Sequence, residues 1–273
     1  MDDEVEKVPV LKLTDKGATG IEDIVARESS LTVMLNDQDV VTLLCSPVDL
    51  KYLAVGFLFS EGLLKSKDDI KGITVDERRG VVRVQTGADD QLANEELFKR
   101  FITSGCGKGA SFYSAAGAQG RRKVESTTRI SVSGLLALAR EFQHRSEIYR
   151  ATGGVHSAAL CDAKNVILFN EDIGRHNALD KVFGRCVLDG VPTDGRIVIT
   201  SGRVSSEIVL KVAGRNVPIV ASKSAPTDLG VKLADTLGVT VVGFVRGKRM
   251  NVYTHAGRII ASPSCHSERS EAE

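Results

Sequence analysis

The chain has 273 residues, 42% of them hydrophobic, and a formal net charge of +1. That length buries a substantial core, in one large domain or two smaller ones, and the balanced charge excludes a general electrostatic grip on nucleic acid or anionic lipid. The N-terminal MDDEVEKVPV is acidic, unlike a signal peptide, and no apolar run approaches the roughly 20 residues that span a bilayer, so a soluble, cytoplasmic protein with no membrane partner is expected.

In chain order, residues 31–45, LTVMLNDQDVVTLLC, read as a hairpin about the turn-forming NDQD. SPVD follows, with Ser46 expected as N-cap and Pro47 at the first helical position. The helix VDLKYLAVGFLFSEG places Leu50, Leu53, Ala54, Phe57 and Leu58 on one face and ends at Gly62. GITVDERRGVVRVQT is a second hairpin with Arg-Gly at its turn, and NEELFKRF a short helix. Residues 114–130 are polar and rich in small residues, and serve as a link. Residues 1–130 are therefore expected to form a smaller mixed α+β domain, and residues 131–273 an α/β domain.

The second half opens with SGLLALAREFQHRSEIY, expected as one helix ending before Gly153 and Gly154. Strands VHSAALC, NVILFN, RIVIT, VPIVAS and VTVVGFV then alternate with helices RHNALDKVFGRCVLDG, RVSSEIVLKVAG and TDLGVKLADTLG. MNVYTHAGRII is expected as a last hairpin. Strand–helix alternation with continuous apolar strands implies a sheet covered by helices.

In such sheets ligands collect beyond the carboxyl ends of the strands. Three of these ends carry a cation: Ser201-Gly202-Arg203, Ser222-Lys223-Ser224, and Arg246-Gly247-Lys248-Arg249. A glycine loop opening a helix presents free N–H groups to an anion, and arginine adds a fork of donors. Each alone is ordinary capping chemistry; three in succession point to a phosphate-rich ligand. None matches a P-loop or a dinucleotide fingerprint. FNEDIGRHNALDKV brings Glu171, Asp172, Arg175, His176 and Asp180 together and admits two readings: an acid–base cluster, or a helix capped by Asp172 with exposed charges. His156, in TGGVHSAAL, reads as a half-buried strand histidine with room before it for a ligand.

The five cysteines are odd in number and far apart, and no Cys/His cluster has zinc spacing, so free thiols are expected. Cys45, Cys161 and Cys186 sit in apolar periodic contexts and read as core residues, and Cys265 lies in a polar tail. Cys106, in FITSGCGKGASFY, has no apolar context; Gly105 and Gly107 flank it and Lys108 favours its thiolate. A hydrolytic cysteine needs a base and an orienting group, which the flanking residues do not supply. A cysteine that carries sulfur needs only thiolate character, access and freedom of movement.

TSGCGKG, TGGVHSAAL, EDIGRHNALDKV, TSGRVSSEIVLK, ASKSAPTDLGVKLA and GFVRGKRMNVYTH occur in this order. Over most of its length the chain thereby resembles the formate dehydrogenase accessory sulfurtransferases, FdhD. The resemblance implies that Cys106 accepts sulfur from a cysteine desulfurase as a persulfide. It implies transfer to the molybdenum cofactor, in its bis-molybdopterin guanine dinucleotide form, before that cofactor enters formate dehydrogenase. Phe244, Val245, Arg246, Gly247, Lys248 and Arg249 match the family's cofactor-binding stretch, and guanine nucleotide is the natural mimic. The resemblance also implies a cytidine-deaminase-like main domain, with which a homodimer is compatible. The H-x-E and P-C-x-x-C zinc signature is absent, so neither zinc nor deamination is expected. Many relatives carry a second cysteine three positions after the first; here that residue is Gly109. Two alternatives stand beside the sulfur carrier: a cofactor chaperone without sulfur chemistry, and a nucleotide hydrolase with Cys106 as nucleophile.

Overall fold

In the computed structural model, which describes residues 3–87 and 122–261, the first element is one the sequence did not announce. Strands β1 (Val5–Thr14) and β2 (Gly17–Ala26) form a separate two-stranded antiparallel sheet. Its apolar side chains are largely exposed, Leu11 and Leu13 among them, so no clean inward–outward alternation marks it.

Next come β3 (Ser29–Leu35) and β4 (Gln38–Cys45), a hairpin as expected. Asn36 and Asp37 connect them with φ of 47° and 63°, the left-handed pair that two-residue hairpin loops require. β5 (Ile70–Asp76) and β6 (Val81–Thr86) form the second expected hairpin, with Gly80 at φ 62°. β6 also pairs in parallel with β3, giving one sheet in the order β4-β3-β6-β5. Leu31, Val33, Leu35, Val82 and Val84 of this sheet pack against α1 (Leu50–Ser60). The five expected face residues of α1 are all buried. Its start differs from expectation: Asp49, at φ 58°, is the N-cap, and Ser46 lies outside the helix. Ser46 is buried and its polar groups are already engaged across the molecule, as described below.

The second half begins with β7 (Ile130–Ser131) and α2 (Val132–Arg145), capped by Ser131, whose hydroxyl accepts from the Gly134 N–H at 3.0 Å. The expected single helix is broken at Ser146, and α3 (Glu147–Thr152) follows. The Ser146 hydroxyl donates to the Phe142 carbonyl and shares a 2.9 Å hydrogen bond with the Ser157 hydroxyl, which fixes the break. β8 (His156–Cys161), β9 (Val166–Asp172), α4 (Arg175–Leu188), β10 (Ile197–Thr200), α5 (Ser206–Ala213), β11 (Ile219–Ser222), α6 (Asp228–Leu237), β12 (Thr240–Arg246) and β13 (Arg249–Val252) then appear in the expected alternation.

They build a six-stranded sheet in the order β13-β12-β11-β10-β8-β9. β10, β11 and β12 are parallel; the other pairings are antiparallel. Both faces are covered, which explains the continuous apolar strands. Ala158, Leu160, Val198, Val220 and Val241 cluster with apolar residues of α4, α5 and α6. Ala159, Ile197, Ile199, Ile219 and Val242, alternating with them, cluster with Leu135, Leu138 and Phe142 of α2.

The expected terminal hairpin over residues 250–260 does not form. β13 instead folds back on β12 about Gly247, at φ 57°. β14 (Ile259–Ile260) pairs in parallel with β7, at the opposite end of this half's sequence. His255, at φ 45°, and a 3-10 turn at Ala256–Arg258 separate β13 from β14. The helix expected at NEELFKRF and the polar tail with Cys265 lie outside the described residues.

The two halves meet where α1 crosses α4. A Cβ on Gly56 would stand 1.8 Å from the Asp180 carbonyl oxygen, and one on Gly184 would stand 1.9 Å from that of Tyr52. Only glycine permits so close a backbone approach. Among the described residues no helix is long and apolar enough to cross a membrane.

Candidate functional site at the strand edge

The strand directions decide what meets. β10, β11 and β12 run parallel, so the loops after Thr200, Ser222 and Arg246 leave from one edge of the sheet. β8 runs against β10, which puts its first residue, His156, at that edge. β9 runs against β8 and delivers Asp172 there, just before Gly174 and α4. The three cation-bearing loops and His156, His176 and Arg175 are thereby gathered along one edge.

The loops are bonded to one another. The Ser201 hydroxyl lies 3.1 Å from His156 Nδ1 and accepts from the Ser157 N–H at 3.0 Å. The Ser222 hydroxyl donates to the Gly202 carbonyl at 2.6 Å, joining the β10 loop to the β11 loop. Arg246 Nε donates to the Lys223 carbonyl at 2.8 Å, and the Phe244 N–H to the Ser224 carbonyl at 3.0 Å, joining the β11 loop to β12. The edge is a connected backbone scaffold with exposed cations on it, because Arg203, Arg246, Lys248 and Arg249 all face solvent. Within the Phe244–Arg249 stretch the roles divide. The Val245 side chain is buried in the α2-facing core. Phe244, half-buried, adopts φ 53°, a left-handed conformation that is costly for an aromatic residue. Its ring lies 5.8 Å from the Arg246 guanidinium carbon.

The two histidines differ. Burial, followed by the positive charges of Arg175, His176 and Arg203, pulls the His156 pKa below its ordinary value. His156 is therefore a neutral ring hydrogen-bonded to Ser201. His176 Nε2 instead lies 2.8 Å from Glu207 Oε2, and that contact holds the Glu207 carboxyl below the usual carboxylate range. Nothing in the sequence pairs His176 with Glu207, which arrives in the first turn of a different helix, α5. Glu171, which the sequence groups with the residues at the start of α4, turns instead toward α3 and β8. It accepts from the Ile148 and Tyr149 N–H groups and from the Ser157 hydroxyl, while burial pushes its pKa up. By holding α3 it places Tyr149, whose ring lies 5.7 Å from Lys223 Nζ.

Asp172 and Asp180 form neither an acid–base cluster nor an exposed capped helix. Gly174, not Asp172, is the N-cap of α4. Asp172 and Lys181 are fully buried and paired at 2.7 Å. Asp172 also accepts from the N–H groups of Ser46 and Gly174 and from the Asn177 amide, and Lys181 donates to the Ser46 carbonyl. The Ile173 N–H donates to the Ser46 hydroxyl, so the chain after β4 is sewn to the β9–α4 turn. This is why Ser46 caps no helix. Asp180 is likewise buried; it binds Lys211 at 2.7 Å and accepts from the Ser60 hydroxyl at 2.7 Å. Burial opposes charge on Lys211, but Asp180 and Glu61 beside it hold its pKa above the ordinary lysine value. Both pairs are structural.

Three of the thiols are core residues, as the sequence implied. Cys45, Cys161 and Cys186 are buried, and burial pushes their pKa values up to about 11, about 12 and about 12. None can supply a thiolate near neutral pH. Cys106 and Gly109 lie outside the described residues. Among the described residues no group of three or more His, Cys, Asp or Glu side chains could hold a metal ion.

Comparison with known proteins agrees with this architecture. The sulfur carrier protein FdhD of Bacillus subtilis (strain 168) is 44% identical over 239 residues, covering 88% of this chain and 91% of that protein. The protein of the same name from Geobacillus kaustophilus (strain HTA426) is 41% identical, covering 92% of this chain and 96% of its own length. A crystal structure assigned as a formate dehydrogenase accessory protein from Desulfotalea psychrophila superposes with a TM-score of 0.78 at 27% identity, covering 94% of this chain and all of that one. The model of the FdhD/NarQ family matches residues 26–260, a span that takes in the four-stranded and six-stranded sheets and the whole strand edge, and the chain belongs to that family.

Proposed function

We propose that this chain is a cytoplasmic sulfur carrier serving formate dehydrogenase, with Cys106 as the residue that holds the sulfur. The observation that carries the reading is membership in a family whose relatives, at more than 40% identity over nearly the whole chain, bear the name sulfur carrier. The thiol chemistry supports it: the three described cysteines are buried with raised pKa values, whereas Cys106 stands among glycines beside Lys108. In the loading step the Cys106 thiolate attacks the terminal sulfur of a persulfide on a cysteine desulfurase. One S–S bond forms as another breaks, the donor's thiolate leaves, and no net oxidation occurs. With Gly109 in place of a second cysteine, one thiol does this work.

The acceptor in this reading is a molybdenum cofactor bearing guanine dinucleotide groups, held at the strand edge as substrate. Ser201, Gly202, Arg203, Ser222, Lys223 and the Phe244–Arg249 stretch would bind its phosphates, with His156 as a neutral hydrogen-bonding partner beside them. The six-stranded half with helices on both faces is, in this reading, a cytidine-deaminase-like layer turned to cofactor binding.

Two measurements test the proposal. Intact-mass analysis after incubation with a cysteine desulfurase and cysteine should show a one-sulfur gain on the wild type that Cys106→Ala abolishes. A wild type that gains nothing would leave a cofactor chaperone without sulfur chemistry. Turnover of guanine nucleotides to free base or phosphate would favour a hydrolase instead. Separately, Arg246→Ala should weaken GDP binding about tenfold or more in calorimetry, the effect of losing a charge-assisted hydrogen bond. Unchanged affinity would mean that the pocket is elsewhere.

A further inference from the structure

We propose that Arg175 and Arg203, with the first turn of α4, form a second phosphate subsite on the β10 side of the edge, separate from the Phe244–Arg249 stretch. The inference rests on reading this edge as the ligand-binding edge and adds to it a residue and a geometry.

Gly202 sets the geometry. A Cβ there would lie 2.8 Å from Arg175 Cβ and 3.0 Å from its Cδ, so the arginine stem lies flat against the loop backbone. Arg203 is the next residue, and its charge depresses the Arg175 pKa after the larger effect of burial. Two positive charges thus bear on one loop–helix contact. Among the described residues neither has a salt-bridge partner within 4 Å, and Arg175 Nε is buried without a hydrogen-bond acceptor. A buried donor left without an acceptor is costly, and a ligand oxygen would satisfy it.

The nearby carboxylates that would ordinarily answer these cations are already engaged. Glu207, whose charge reaches Arg175, is bonded to His176 at 2.8 Å. Asp172 is bonded to Lys181 at 2.7 Å. The backbone adds to the imbalance. α4 is 14 residues long, its N-cap is Gly174, and no side chain caps it. Its first N–H groups have no partners within the helix and carry the positive end of its dipole. Repelling forks, a buried Nε and uncapped N–H groups share one chemical remedy, a multiply charged oxyanion such as a diphosphate.

The β12 side is built differently. There Arg246 Nε is occupied by the Lys223 carbonyl, leaving its terminal nitrogens for a ligand. β10 and β12 are two strands apart in the sheet, which separates the two subsites by about 10 Å. The edge therefore suits a ligand whose phosphoryl groups reach across β11.

Calorimetry with inorganic pyrophosphate and with GDP on the full chain tests this, comparing wild type with Arg203→Gln, Arg175→Gln and Arg246→Gln. Arg203 is exposed, so its variant should melt like the wild type and report binding alone. Pyrophosphate affinity should fall about tenfold in Arg203→Gln and in Arg175→Gln, and less than about threefold in Arg246→Gln. Gly202→Ala, which keeps both guanidinium groups but displaces one, should lower pyrophosphate affinity too. The subsite is overturned if wild type binds no pyrophosphate, or if either Arg203→Gln or Arg175→Gln binds it as wild type does. A loss of GDP binding confined to Arg246→Gln would sink the second subsite and leave the sulfur-carrier reading intact. Failure of the wild type to gain sulfur would do the reverse.

Discussion

Lys181→Ala should lower the free energy of unfolding by about 3–5 kcal/mol, read from urea or guanidinium transitions. The mutation strands Asp172, which has no exposed side-chain surface and whose nearest cation, at 2.7 Å, is removed. An uncompensated buried carboxylate is far more costly than the pair was beneficial. Lys181→Met, which refills the volume but not the charge, should recover only part of the loss. Lys181→Met combined with Asp172→Asn should recover more, because the amide needs no counter-ion. The effect is a sizeable fraction of the roughly 5–15 kcal/mol that holds a typical domain. It should also reach the strand edge, since Asp172 holds the turn that starts α4 and positions Arg175. A loss under about 1 kcal/mol would show that water reaches the pair.

Gly184→Ala carries the second large effect, and its sign is the informative part. Helix propensity alone predicts a gain of about 1 kcal/mol for replacing an interior helical glycine by alanine. The crossing predicts the opposite. The new methyl carbon would fall 1.9 Å from the Tyr52 carbonyl oxygen, and that oxygen belongs to the backbone of α1, so no side-chain rotation relieves it. The helices must separate. That opens the Ser60–Asp180 hydrogen bond and loosens the shared core of Leu53, Phe57 and Val187. A net loss of about 3 kcal/mol or more is expected, at the upper end of overpacking costs. Gly56→Ala should behave alike against the Asp180 carbonyl. A stabilised Gly184→Ala protein would mean that the helices are not in contact.

Much of this was legible in the sequence where local pattern and tertiary need coincide. Asn36-Asp37 and Gly80 announced their hairpins because turns demand left-handed backbone at those positions. The strands from Val198 to Val242 announced their burial because both sheet faces are covered, and the alternation with helices gave the parallel edge. Misreadings arose where a distant partner overrode a local signal. Ser46-Pro47 has the chemistry of a helix start, yet Ser46 is claimed by Asp172 and Ile173, more than 120 positions later. Asp172 has the chemistry of a cap, yet Lys181 draws it into the core. The β1–β2 sheet escaped because its apolar residues are exposed on both sides and show no period. At the edge, the three cationic loops were visible one at a time, whereas the Arg175–Gly202 contact and the His176–Glu207 pair exist only once β9, β10 and α5 are placed together.

The buried charges also imply an order of assembly. Asp172 with Lys181, and Asp180 with Lys211, are partners within the second half of the chain. The first half contributes to Asp172 and Lys181 through the backbone of Ser46, to Asp180 through the hydroxyl of Ser60, and to Lys211 through Glu61, a more distant second carboxylate at 3.7 Å. The second half can therefore neutralise its own ions while still wet, and the first half then closes over finished pairs rather than over bare charges. The reverse sequence would ask α1 to wait with the face that meets the second half, Tyr52 and Phe59 among its residues, uncovered. During synthesis the first half emerges first nonetheless, so the growing chain passes through an interval in which a helix packed on its own sheet still has one face without a mate, the circumstance in which nascent proteins most need chaperones.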